Sequence, residues 1–199
     1  MSEPPRILVI AGSARAPSYT RSLSRTVARA LEARGARADV LDLQATPLPS
    51  MVPADRARRA GHGDPVVADL FQWAEGASAY VLASPTYHNS YSGVLKNALD
   101  YLTLGDMRYR PVGLMGHGGR STQAVDHLRL VVRGLLGVAI PTQVCTADED
   151  FAPTPGPDGD YEVRNGDILG RIDRFADELV LFARHLAALR AELDAARAG

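Results

Sequence analysis

Ile7-Leu8-Val9-Ile10-Ala11 is an unbroken apolar run, closed in front by Pro5 and behind by Gly12. It leads directly into the polar stretch Gly12-Ser13-Ala14-Arg15-Ala16-Pro17-Ser18-Tyr19-Thr20. A strand with apolar residues at successive positions has no wet face, so the run predicts burial on both sides, as in a parallel sheet covered by helices. Working outward, the same alternation repeats. Leu23, Val27, Ala30 and Leu31 recur at helical spacing, and Gly35 stands where a C-terminal cap belongs. Residues 39–43 read as a second strand of edge character. Val67, Leu70, Phe71 and Ala74 mark a helix ended by Gly76, and Tyr80-Val81-Leu82-Ala83 reads as the third strand. A helix through Val94, Leu95, Ala98, Leu99 and Leu102 precedes the strand Val112-Gly113-Leu114-Met115. A helix from Gln123 to Leu136 precedes the strand Ile140-Pro141-Thr142-Gln143-Val144, and one long amphipathic helix runs from Ile168 to Ala196. Two segments lack periodicity and are predicted as loops. One is 44–65, rich in Pro, Gly and Arg; the other is the polar excursion 148–167.

Five strand–helix pairs predict a doubly wound α/β fold, a five-stranded parallel sheet with helices on both faces. Five strands suit the flavodoxin-like order 2-1-3-4-5 better than the longer dinucleotide fold. A length of 199 residues is that of one domain, here 1–199. Twenty-two Lys+Arg against twenty-three Asp+Glu leave a net charge of −1, so no global basic field recruits nucleic acid or an anionic membrane. The single cysteine, Cys145, excludes an intrachain disulfide and a multi-thiolate zinc site, and it fits a reducing compartment. No basic leader opens the sequence and no apolar run reaches the ~20 residues of a membrane span, so a cytoplasmic protein is expected.

In such a fold the ligand lies at the carboxyl ends of the strands, which directs attention to three loops. The loop after the first strand combines Ser13, Ser18, Thr20 and Arg15 with the start of a helix, where hydroxyls, free amides and a guanidinium favour an anion. It lacks the glycines that admit a pyrophosphate and the Walker lysine, so a terminal monophosphate ester is favoured over a dinucleotide or triphosphate. A polar connection capped by Ser or Thr is the alternative. The loop after the third strand, Ser84-Pro85-Thr86-Tyr87-His88-Asn89-Ser90-Tyr91-Ser92-Gly93, offers an aromatic face and hydrogen-bonding groups suited to a flat heterocycle; packing and surface roles are the alternative. Gly116-His117-Gly118-Gly119-Arg120 must turn sharply or lie against something flat, and its amides are candidates to donate to a ring's carbonyls. A plain strand-to-helix turn explains it equally.

Taken together, Gly12-Ser13-Ala14-Arg15 with Ser18 and Thr20, and the run from Ser84 through Ser92-Gly93-Val94-Leu95-Lys96-Asn97-Ala98-Leu99-Asp100, resemble the NAD(P)H-dependent FMN reductase family over about residues 6 to 145. The resemblance implies a flavodoxin-like fold, bound FMN, NAD(P)H as co-substrate, a small-molecule acceptor such as free FMN or a quinone, and a homodimer or homotetramer. It implies that Ser13, Arg15, Ser18 and Thr20 hold the FMN phosphate, with Tyr19 beside them. It further implies that Pro85, Thr86, Tyr87, His88 and Asn89 border the isoalloxazine, and that His117, Gly118 and Gly119 lie near its other end. Hydride transfer between nicotinamide and flavin needs orientation rather than a side-chain acid or base, so no catalytic side chain and no metal ligand is assigned. Three other readings fit the same loops or topology: a pathway-specific FMN-dependent dehydrogenase, a flavodoxin-like electron carrier, and a response-regulator-like domain. The near-neutral charge argues against the carrier, and Ala11-Gly12-Ser13 replaces the acidic cluster the last would need. For the second phosphate of NADPH, Arg15 and Arg120 are the candidates.

Overall fold

The computed structural model describes residues 3–57, 59 and 61–198. Met1 and Ser2, positions 58 and 60 within the predicted 44–65 loop, and Gly199 lie outside the described residues. The elements run β1 (Arg6–Ala11), α1 (Tyr19–Glu32), β2 (Arg37–Asp42), α2 (Pro53–Ala57), α3 (Pro65–Gly76), β3 (Ala79–Pro85), α4 (Gly93–Tyr101), α5 (Leu104–Met107), β4 (Pro111–His117), α6 (Gln123–Gly134), β5 (Val138–Thr146) and α7 (Gly166–Ala198). All five strands are parallel in the order β2-β1-β3-β4-β5. That is the doubly wound, flavodoxin-like sheet expected. The two short helices α2 and α5 depart from the expectation: five and four residues are too few to display helical periodicity. The segment 44–65 is therefore not all loop.

Successive apolar residues on β1 and β3 divide between the two faces of the sheet. Leu8, Ile10, Tyr80 and Leu82 pack with α3, α4 and α6, whereas Ile7, Val9, Val81 and Ala83 pack with α1 and α7. This is why neither strand alternates in hydrophobicity. The α7 layer approaches the sheet closely at Gly113, where any side chain would run into the Phe175 ring. The sheet ends at β2 on one side and β5 on the other, and the β5 edge is closed to further pairing. Pro141 has no amide to offer, the Thr142 amide donates to Glu178 Oε2 (3.1 Å), and Arg129 reaches the Ile140 and Pro141 carbonyls.

Candidate functional site

The loop from β1 to α1 is built around a close approach. The Gly12 amide donates to the Ala83 carbonyl (2.8 Å), and a Cβ at Gly12 would stand only 2.6 Å from Leu95 Cβ, so only glycine lets α4 reach the end of β1. Ser92 joins the two sides: its hydroxyl donates to the Gly12 carbonyl and accepts from the Leu95 amide as the N-cap of α4. Ser18 caps α1 by accepting from the Arg21 amide (3.3 Å), and the Ser13 hydroxyl accepts from the Arg15 amide (3.2 Å). Ser13, Ser18 and Thr20 are buried, whereas Arg15 is exposed and its guanidinium has no ion pair or hydrogen bond among the described residues. Arg21 and Arg25 are occupied elsewhere, both gripping the Asp160 carboxylate at 2.9 and 2.7 Å.

After β3, Ser84 accepts from the Ser92 amide (2.8 Å) and so fixes the loop against the start of α4. Thr86 donates its amide to the His117 carbonyl (2.7 Å), but its Oγ1 is buried without a partner. Tyr87 and Ser90 exchange backbone hydrogen bonds across a two-residue turn in which His88 and Asn89 have φ of 47° and 65°. Both turn residues are exposed at its tip, and Tyr87 is 48% exposed.

His117 ends β4. Its Nδ1 lies 3.0 Å from Thr146 Oγ1, its Nε2 3.2 Å from Asp148 Oδ1, and its ring 4.7 Å from that of Tyr19. Burial pushes the imidazole below its ordinary pKa of 6.5, outweighing the neighbouring Asp148 carboxylate. The Thr146 hydroxyl also reaches the Gly116 carbonyl (3.4 Å), so the ring is held between a shared threonine oxygen and the Asp148 carboxylate. Two of the amides of the glycine loop are committed within the protein, as in a plain strand-to-helix turn. The Gly118 and Arg120 amides both donate to the Thr146 carbonyl (2.9 and 3.1 Å) because the chain folds back over the end of β5, which leaves the Gly119 amide unengaged in that turn. Arg120 is also committed: its guanidinium clasps the fully buried Asp150 carboxylate at 2.6 Å.

The excursion 148–167 is a packed strap. It starts with a 3₁₀ turn at Asp148–Asp150, and Phe151 bridges to Val163. Phe151 and Tyr161 close on Tyr19, with ring centroids 4.9 and 4.1 Å away. Asp160 is the residue that takes Arg21 and Arg25 from α1. The strap thus walls the first loop from the side.

The three loops converge on a cleft of about 140 Å³. From the first loop come Ser13, Arg15, Ser18, Tyr19 and Thr20, from the second Pro85, Thr86 and Tyr87, and from the third His117 and Gly118. His88, Asn89 and Gly119 are outside this lining; the turn carries the first two outward. Pro17 and Asp148 line the cleft without having been singled out from sequence. Asp148 carried one usable signal, its place two residues beyond the end of β5, at the same sheet end as the other loops. Beside Pro17 and Asp148, the first loop turns donors into the cleft (Ser13, Arg15, Ser18, Tyr19 and Thr20), and the arrangement suits holding an anion and positioning a flat ring rather than acid–base work. Among the described residues, no group of three or more His, Cys, Asp or Glu is placed to hold a metal, and no helix is long and apolar enough to cross a membrane.

Comparison with known proteins agrees with this geometry. Residues 5–151 match the model of a family described as NADPH-dependent FMN reductase. An FMN-dependent NADPH-azoreductase of Staphylococcus saprophyticus is 37% identical over 180 residues, covering 89% of this chain and 95% of that protein. Its counterpart in Staphylococcus aureus strain USA300 is 36% identical over the same shares. The solved structure of FerB, a flavoenzyme NAD(P)H:(acceptor) oxidoreductase from Paracoccus denitrificans, has the same fold. Its TM-score is 0.72 at 21% identity, covering 91% of this chain and 98% of that one.

Proposed function

Because the chain belongs to the NADPH-dependent FMN reductase family, we propose that it is an FMN-dependent NAD(P)H oxidoreductase whose cofactor lies across the three loops. The observation that carries the assignment to this cleft is Thr86 Oγ1, a buried hydroxyl without a protein partner among converging donors. Such a hydroxyl has lost water and gained nothing from the protein, so a bound acceptor completes it. Bound FMN supplies a two-electron centre that takes hydride from the nicotinamide and passes reducing equivalents to an acceptor.

The residues of the chain fit that cofactor. Ser13, Ser18 and Thr20 offer hydroxyls, and Arg15 offers an unpaired guanidinium fork, to a monophosphate at the start of α1. Tyr19, held between His117 and the strap rings, walls this end and keeps water from it. Pro85, Thr86 and Tyr87 border the ring, with His88 and Asn89 on the outer turn, while Gly118 and Gly119 face its other end and His117 stands against Tyr19 on the phosphate side. His117 is clamped at both nitrogens, by Thr146 and by Asp148, so it acts by orientation. The acceptor is a flat conjugated molecule such as a quinone or free FMN, and the two azoreductase relatives extend the class to azo compounds.

The reading takes 1–199 as one cytoplasmic domain, supported by two apolar clusters that share a single sheet. It further takes the chain as a homodimer or homotetramer with α4 near the interface. Support comes from the half-exposed Tyr87 beside an open cleft, and from Leu104 and Leu130, exposed at 51% and 67% on α5 and α6. Anaerobic addition of NADPH to the purified protein tests the function. Flavin absorbance should be present and should bleach within the turnover time. Flavin that NADPH and NADH both leave oxidised would refute the assignment.

A further inference from the structure

The turn after β4 borders two hollows. His117 and Gly118 line the cofactor cleft; Arg120 and Thr122 line a second hollow, of about 650 Å³, closed by β5 and the first turns of α7. Thr122 is four positions on from Gly118, so the two walls are at most ~14 Å apart along the chain. The volume is within the roughly 300–1,000 Å³ of small-molecule sites, which is room for a nucleoside phosphate rather than a lone ion.

The polar groups of this hollow sort themselves by their partners. Arg120 is bound to Asp150, the Thr122 hydroxyl to Asp126, and the Gln143 carbonyl to Arg129. Asn165 is used at both ends, donating to Asp150 and accepting from the Asp167 amide. What is left over is mostly cationic. Arg171 and Arg174, one turn apart on α7, both turn to the hollow, and neither makes an ion pair or hydrogen bond among the described residues. The Gln143 amide nitrogen adds a third donor. Among them stands a carboxylate, Asp167, a turn before Arg171. Two unpaired guanidinium forks select a phosphomonoester, and a lone carboxylate beside them suits a ribose hydroxyl or an exocyclic amine.

We propose that this hollow receives the adenosine end of NADPH, with Arg171 and Arg174 on its 2′-phosphate. The proposal rests on the reading that a nicotinamide dinucleotide reduces flavin in the adjacent cleft, and it displaces the two sequence candidates: Arg15 belongs to the cleft and Arg120 to Asp150. Calorimetric titration of the FMN-loaded protein with 2′,5′-ADP and with 5′-AMP tests it. Wild type should bind 2′,5′-ADP at least about tenfold more tightly than 5′-AMP, as expected for charge-assisted bonds to one added phosphate. In R171Q/R174Q the two ligands should bind alike. Equal binding of both ligands to wild type, or a preference that survives the double substitution, overturns the proposal. Inorganic phosphate competing as well as 2′,5′-ADP would mark a bare anion site and overturn it too. The titration involves no turnover, so a protein that keeps its flavin and bleaches with NADPH but ignores 2′,5′-ADP refutes this inference alone.

Discussion

Thr86 and Arg15 are polar groups that the folded chain leaves without partners at one cleft, and they lead to opposite expectations for stability and binding. An unpaired buried hydroxyl costs about 1–3 kcal/mol, so Thr86→Val, which keeps the shape, should leave the cofactor-free protein as stable or slightly more so. FMN affinity should fall several-fold, corresponding to one neutral hydrogen bond of about 0.5–1.5 kcal/mol. Thermal melts with and without FMN separate the two effects; a destabilised apoprotein with unchanged FMN binding would make Thr86 a structural residue. Arg15→Ala removes a charge-assisted contact of about 1.5–3 kcal/mol and should weaken FMN roughly ten- to a hundredfold with the melt of the apoprotein unmoved. Tight binding by that variant would reduce Arg15 to a surface charge. Both residues were legible from sequence because polar, flexible residues stand out between apolar strands. The orphaned hydroxyl was not, since it depends on the Thr86 amide being drawn to the His117 carbonyl, thirty-one positions away.

The strap from Asp148 to Asn165 is the element that sequence reading left as a polar excursion, because its anchors are all distant in the chain. Asp150 shows how it is held. Burial works to raise its carboxyl, but Arg120, the Ala147 amide and Asn165 outweigh burial and hold it below the ordinary value of 3.8. Asp150→Ala leaves the Ala147 amide and Asn165 without their acceptor and should cost about 1–3 kcal/mol; Arg120, 49% exposed, rehydrates. A carboxyl depressed on folding stabilises fully above its unfolded pKa and loses that contribution as pH falls through its folded one. The difference in melting temperature between wild type and variant should therefore be constant above about pH 5 and shrink below about pH 4. A difference independent of pH would remove the ionised carboxylate from the account. By contrast β1, β3 and β4 were readable because consecutive apolar residues have one physical explanation in a sheet covered on both faces. The short α2 and α5 were not: a helix of one turn has no period, and it is docking that holds α5, where Thr103 and Asp106 bond reciprocally and Arg59 pairs with Asp106.

At the scale of the molecule, the cleft opens at the carboxyl end of the sheet, with the exposed Tyr87 turn on its rim, and Leu104 and Leu130 leave apolar surface uncovered elsewhere on α5 and α6. Exclusion of water from a reducing centre calls for a roof, and a second copy supplies one. Light scattering on a sizing column should give two or four times the mass of one chain at micromolar concentration, and a single-chain mass would leave the cleft unroofed and refute the oligomer. The arrangement of three loops into one site was foreseeable, because the strand order fixes which strand ends are neighbours; that the His88-Asn89 turn leans outward was not, because its left-handed backbone is set by the pairing of Tyr87 with Ser90. The central claim is that a monophosphate flavin is held by hydroxyls and Arg15 in a loop too poor in glycine for a pyrophosphate. Denaturing the purified holoprotein and identifying the released cofactor by mass, with its amount measured against protein, tests that claim most directly. The account predicts FMN at one per chain, and release of FAD, or of no flavin from protein refolded with excess FMN, would contradict it.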